Sequence, residues 1–114
     1  DVSWTLGGGG FTSNIQDLTG FVVGLANRRF VSRAIEAQMW EAQRLSNGMP
    51  TTYGLGFGVG KNQGRLHVSH SGAQKKTRTQ FLLYPGEQRG VAVMTNSEWV
   101  QPAEYARGIM EALR

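Results

Sequence analysis

The sequence predicts an α+β fold: an antiparallel sheet of about four strands flanked by helices on both faces. Three observations lead there. The runs "FLLY" and "GVAVM", within residues 77–84 and 90–96, are continuously apolar, which in strands implies burial on both sides. Short turn segments, "KNQG" and "PGEQRG", separate successive strands and so join neighbours as antiparallel pairs. Stretches with apolar residues at helical spacing lie before and after the strands, where they can cover the two faces.

Each element has its own signal. A helix is expected over 13–29, following the glycine-rich "LGGGG". Ser13 with Gln16 fits a capping box, and Asp17 sits in the positive first turn. Ile15, Leu18, Val22 and Leu25 recur at helical spacing, and Arg28 and Arg29 suit the negative end. A second helix is expected over 32–46, with Ile35, Met39 and Ala42 on one face and Gly48 as its left-handed cap. The first strand is placed at 52–60, where glycine alternates with Tyr53, Leu55, Phe57 and Val59 and leaves one face bare. The second strand, 65–71, returns with Leu66, Val68 and His70 on one side. After the strands at 77–84 and 90–96, a closing helix is expected over 101–113. It has Pro102 near its start and Ala106, Ile109, Met110 and Leu113 as a stripe. Four strands and three helices leave a sheet edge open, and an open edge invites a partner.

With 114 residues the chain makes one domain, 39% hydrophobic and able to build an ordinary core. No run approaches 18 consecutive apolar residues, so a membrane-spanning helix is not expected. The chain opens at Asp1 with neither a basic start nor an apolar stretch, so it reads as a processed product or a piece of something longer. Without cysteine, disulfides and thiolate metal sites are excluded. The net charge of +4 is a mild basic bias, but the basic residues are scattered and no nucleic-acid partner is expected. The densest cluster is Lys75, Lys76 and Arg78.

Most chemical motifs fail on inspection. "GLGFGVG" is not followed by a helix, which a dinucleotide site requires, and "GGGG" lacks both a preceding strand and a Lys-Ser/Thr pair. His67 and His70 fall on opposite faces of a strand and lack carboxylate companions, so neither a metal nor a cofactor is expected. No serine lies in G-x-S-x-G, and none of the seven is followed three positions on by lysine. A self-contained hydrolase would lack its nucleophile.

The order of several motifs nevertheless resembles the C-terminal part of the serine β-lactamase-related family. That family includes class C β-lactamases, D-alanyl-D-alanine carboxypeptidases and related esterases. "GGGGFTSNIQDLTGF" is similar to its glycine-rich approach to a helix, and "YGLGFGVG" to its Tyr-Gly-Leu-Gly strand. "HSG", residues 70–72, stands at its third active-site motif, Lys-Thr-Gly or His-x-Gly. "FLLYPGEQRGVAVMTN" resembles the next two strands, and "QPAEYARGIMEAL" the closing helix. The resemblance implies the C-terminal portion of the β-lactamase/transpeptidase-like fold. It also implies acyl-enzyme hydrolysis of an amide or ester, with a β-lactam, peptide or ester as substrate. By the same resemblance His70 would place a substrate carboxylate or support proton transfer, and Ser71 would offer a hydroxyl. Gly72 would keep the strand bare, and the Ala73 backbone N–H would be one oxyanion-hole donor, worth about 2.7–4 kcal/mol in the transition state.

Two departures qualify the resemblance. His70 stands where lysine is usual, so the charge there depends on pH near neutrality and a peptidase or esterase gains weight over a true β-lactamase. Ser-x-x-Lys and Tyr-x-Asn are absent: Tyr53, Tyr84 and Tyr105 are followed two positions on by Leu, Gly and Arg. The chain alone is therefore expected to be inactive, a C-terminal fragment of a longer serine hydrolase. It would associate with the enzyme's N-terminal portion or with itself through the open edge, in a periplasmic or secreted setting. The alternative is a non-catalytic module of the same half-fold that binds a peptide or partner. A third reading is an anionic-polymer binder using Arg65, Lys75, Lys76 and Arg78, whose signature would be steep salt dependence.

Overall fold

The computed structural model describes residues 6–113. A single turn of helix, α1 (Leu6–Gly9), precedes α2 (Ile15–Ala26) and α3 (Arg33–Met39). Four strands follow, β1 (Gly58–Asn62), β2 (Arg65–Gln74), β3 (Thr77–Tyr84) and β4 (Arg89–Thr95), and α4 (Pro102–Ala112) closes the chain. The sheet is antiparallel in the order β1-β2-β3-β4. Its β1–β2 link is a two-residue hairpin with both Gln63 and Gly64 at positive φ, the mirror-type turn whose twist matches that of the strands.

The two faces are covered by different helices. Val22 and Leu25 of α2 join Trp40, Phe57, Val68, Phe81 and Leu83 in one buried cluster. Ala106 and Met110 of α4 pack on Leu82 and Tyr84 on the other face. Residues Phe81–Tyr84 are all buried because β3 is central, with α2 against one set of alternate side chains and α4 against the other. Val68 and Leu83 are fully enclosed, each contributing about 1.5–3 kcal/mol from removal of apolar surface from water.

Several boundaries differ from the expected ones, each for a local reason. Helix α2 is capped one residue later than the Ser13–Gln16 pairing implied. The Asp17 backbone N–H donates to Asn14 Oδ1 and Asn14 Nδ2 donates back to Asp17 Oδ2, both at 2.9 Å. The helix ends at Ala26 because Arg28 turns left-handed (φ 54°). The Arg28 and Arg29 N–H groups then donate back to the Leu25 and Gly24 carbonyls, closing a Schellman motif. Arg28 also reaches Glu36 at 3.2 Å, so this arginine serves a buried carboxylate rather than the helix dipole.

The second helix stops at Met39, not near residue 46. The Leu55 N–H donates to the Met39 carbonyl, and residues 43–53 pair back on themselves through Gln43, Thr51 and Tyr53. Glu36 is its buried residue, with Trp40, the C-cap just beyond it, buried as well, whereas Ile35 is exposed. The alternating-glycine segment is likewise not a strand over 52–60. The Gly54 N–H donates to the Phe57 carbonyl, Gly56 adopts φ 82°, and Tyr53 bridges Gly58 across a tight reversal. Gly54 is required there, because a Cβ at that position would stand 2.2 Å from the Met39 carbonyl oxygen.

Candidate active site

Strand β2 carries all four residues singled out by the family resemblance, and its pairing changes along its length. Pairing with β1 ends at Gly58 opposite Ser69. From His70 to Gln74 the strand pairs with β3 alone among the described residues, which leaves the backbone edge beside His70, Ser71, Gly72 and Ala73 without a strand from them against it. His70, Ser71 and Ala73 are exposed along this edge. Its N–H and C=O groups are those a substrate or another strand could engage.

Strand alternation divides the four between the two faces. His70 lies opposite Phe81, on the α2 face with Val68; Ser71 lies opposite Gln80, on the α4 face with Ser69. The structure thus places the four in one segment but does not bring the His70 and Ser71 side chains onto one face. The Tyr53 ring meets His70 edge-on, with centroids 6.2 Å apart. Gly72 has a steric reason to lack a side chain, since a Cβ there would stand 2.3 Å from Thr79 Oγ1. Tyr53 and Thr79 were not singled out from the sequence as site residues. The available signal is the glycine run around Tyr53, whose alternation fits a strand as well as the reversal that brings Tyr53 to His70.

The far end of the hairpin is braced. Arg78 Nη1 donates to the Gln74 and Thr77 carbonyls at 2.7 and 2.9 Å, and the Lys76 N–H donates to the Glu98 carboxylate across the turn. Lys76 itself sits at φ 62°. An open depression of about 510 Å³ lies two strands over, lined by Thr77, Met94, Thr95 and Asn96. This depression borders β4 and does not adjoin the free edge of β2, which lies on the side of that strand away from β3.

His67 sits apart from this wall. It points to the α4 face, tilted against the Tyr84 ring at 5.7 Å, and fills the space over Gly60, where a Cβ would stand 2.6 Å from Nε2. The bare face of β1 thus accommodates side chains of β2: Ser69 lies over Gly58 in the same way. Burial holds the His67 imidazole below its ordinary value of 6.5, because desolvation penalises the charged form. Below pH 6.5 the unfolded chain takes up a proton that the folded chain resists. The stability associated with neutral His67 is therefore complete above pH 6.5 and is lost as pH falls through the folded midpoint. Melting temperature measured down from pH 7 should fall more steeply for the parent than for His67→Gln, and parallel curves would refute this.

Among the described residues no group of three His, Asp or Glu side chains is placed to hold a metal ion, and no helix is long and apolar enough to cross a membrane. A helix-covered antiparallel sheet with a bare strand edge carrying His-Ser-Gly defines an α+β domain of β-lactamase-like architecture. The chain belongs to the beta-lactamase family, whose family model matches residues 1–113. A comparison with curated proteins finds no match.

Proposed function

We propose that this chain is the C-terminal portion of a penicillin-recognising serine hydrolase. It supplies one wall of the acyl-transfer site and lacks the attacking serine. The observation that carries this reading is the edge of β2, paired on one side only from His70 to Gln74. Along that edge His70 meets the substrate carboxylate or the moving proton, and the Ala73 N–H donates to the developing oxyanion. The alternation of side chains refines the role of Ser71, whose hydroxyl serves a substrate group reaching round to the α4 face. No Ser-x-x-Lys pair occurs in the sequence, so acylation requires a serine contributed by another segment.

The partner in this reading is the N-terminal portion of the same enzyme. Phe11, Phe21 and Phe30 near α2, and Tyr105, Ile109 and Leu113 on α4, are large apolar side chains left exposed. Strand β4 pairs with β3 alone among the described residues, leaving its other edge for an added strand. A periplasmic or secreted setting accords with cell-wall peptides or β-lactams as substrates. The second reading, a non-catalytic module binding a peptide or partner, draws on the same free edges.

Intact mass after incubation with a fluorescent penicillin, and separately with a serine-reactive phosphonate, tests the proposal. The chain alone should remain unmodified, and addition of the upstream segment should restore a stoichiometric adduct located on that segment. An adduct on this chain, with Ser71 the first suspect, would overturn the half-site reading. Failure of the upstream segment to be acylated would favour the binding module.

A further inference from the structure

On the α4 face, away from His70, the sheet and α4 flank a half-open cavity of about 240 Å³ that the proposed hydrolase site does not use. Its floor is apolar: Leu82, Met110 and the ring of Tyr84 are each nearly buried. At roughly 30 Å³ per water, the volume corresponds to about eight waters, enough for a small organic molecule but not for a drug-sized one.

The lining is charged in an uneven way. Arg65 is committed: its Nη1 donates to Glu87 at 2.7 Å, and its guanidinium lies over the Tyr84 ring at 5.3 Å. Lys61 and Arg107, on β1 and α4, have no carboxylate within ion-pair distance among the described residues. Glu111 is the remaining acidic group of the lining, so the cavity carries one positive charge in excess. His67 forms part of the wall as a neutral imidazole, and its Nδ1 is buried without a hydrogen-bond partner. An apolar floor beneath Lys61 and Arg107, with one positive charge in excess after Glu111 is counted, is an arrangement that receives an amphipathic anion: the body buries against Leu82 and Met110, and the head meets the cations.

We infer that this cavity is a second ligand site, for a small carboxylate with an apolar body, held between Lys61 and Arg107 over the Leu82–Tyr84–Met110 floor. It lies on the opposite side of the sheet from His70, so it is separable from the hydrolase reading and stands or falls independently of it. A neutral ligand of the same shape would forgo both cations, whereas a compact inorganic anion would leave the floor unfilled.

The two histidines provide the readout, one on each face. Benzoate is titrated into the chain to roughly 20 mM, above a millimolar dissociation constant. The imidazole Cε1–H resonances are followed by NMR and assigned with His70→Gln. His67 should shift saturably while His70 stays in place. Benzamide, the neutral isostere, should bind at least about tenfold more weakly. Arg107→Ala, on the exposed side of α4, should weaken benzoate about fivefold, the size expected of one exposed charge pair, with the His70 resonance unmoved as a check on folding. A His67 resonance unchanged to the end of the titration would overturn the site. So would equal binding of benzamide, unaltered affinity in Arg107→Ala, or shifts of both histidines without saturation.

Discussion

Replacing Leu83 with alanine should lower the unfolding free energy by about 3 kcal/mol, within the roughly 2–5 kcal/mol range for buried leucines. Leu83 is 0% exposed near the end of β3, an interior strand of the sheet, and packs in one cluster with Val22, Leu25, Val68 and Phe81. Opposite it on β4 is Gly90, where a Cβ would meet Val22 Cγ1 at 2.4 Å and Leu83 Cδ1 at 3.4 Å. Val22 and Leu83 thus fill the space that glycine leaves, and shortening Leu83 opens a void that neither backbone can close. For a domain of this size the loss corresponds to a fall in melting temperature of more than about 10 °C. Chemical denaturation would measure it, with Leu55→Ala, at an exposed position, as a control expected within about 0.5 kcal/mol of the parent. A loss below about 1 kcal/mol for Leu83→Ala would mean that α2 does not close over the sheet.

The larger effect is expected on chemistry. On the proposed function, with an upstream portion supplying the serine, His70→Ala should slow acylation by a penicillin about 100-fold, the lower end of what a positioned acid or base contributes. Because His70 is exposed on a strand edge, the substitution should leave folding intact. Two substrates separate its possible roles. If the imidazole holds a substrate carboxylate, a carboxylate-bearing penicillin slows and an uncharged activated ester does not. If it moves a proton, both slow together. Unchanged rates with both would remove His70 from the site and with it the main support for the hydrolase reading. Tyr53, edge-on to the imidazole, provides a milder companion: Tyr53→Ala should loosen His70 and raise KM more than it lowers kcat.

The candidate site was legible in the sequence to a definite depth. His70 and Ser71 could be placed on a strand from the period-two pattern of Leu66, Val68 and His70, whereas Gly72 and Ala73 fell beyond its expected end at residue 71 and the strand in fact runs on to Gln74. That pattern also put His67 on the face opposite His70. What could not be read was the strand's neighbours. That β1 releases β2 after Ser69 depends on where β1 begins, and the glycine alternation of "YGLGFGVG" suits both a bare-faced strand and a tight reversal. The closing helix shows the same division. Its stripe was correct in spacing, but only Ala106 and Met110 found a surface, while Ile109 and Leu113 remained exposed.

By itself the sequence determined the class of fold, the order of the longer helices and strands, and the placing of His70 and Ser71 on the second strand. These are written in local periodicity and in motifs of adjacent residues, which need no knowledge of the rest of the chain. The tertiary structure decided the stop of α3 at Met39, the turn at Gly56, the burial of Glu36, and the cavity beneath Lys61 and Arg107. Each of these depends on groups distant in sequence: the Leu55 N–H on the Met39 carbonyl, Arg28 on Glu36, and α4 against β3. Such contacts are selected by which arrangement buries apolar surface while pairing the backbone, and no stretch of neighbouring residues encodes that choice.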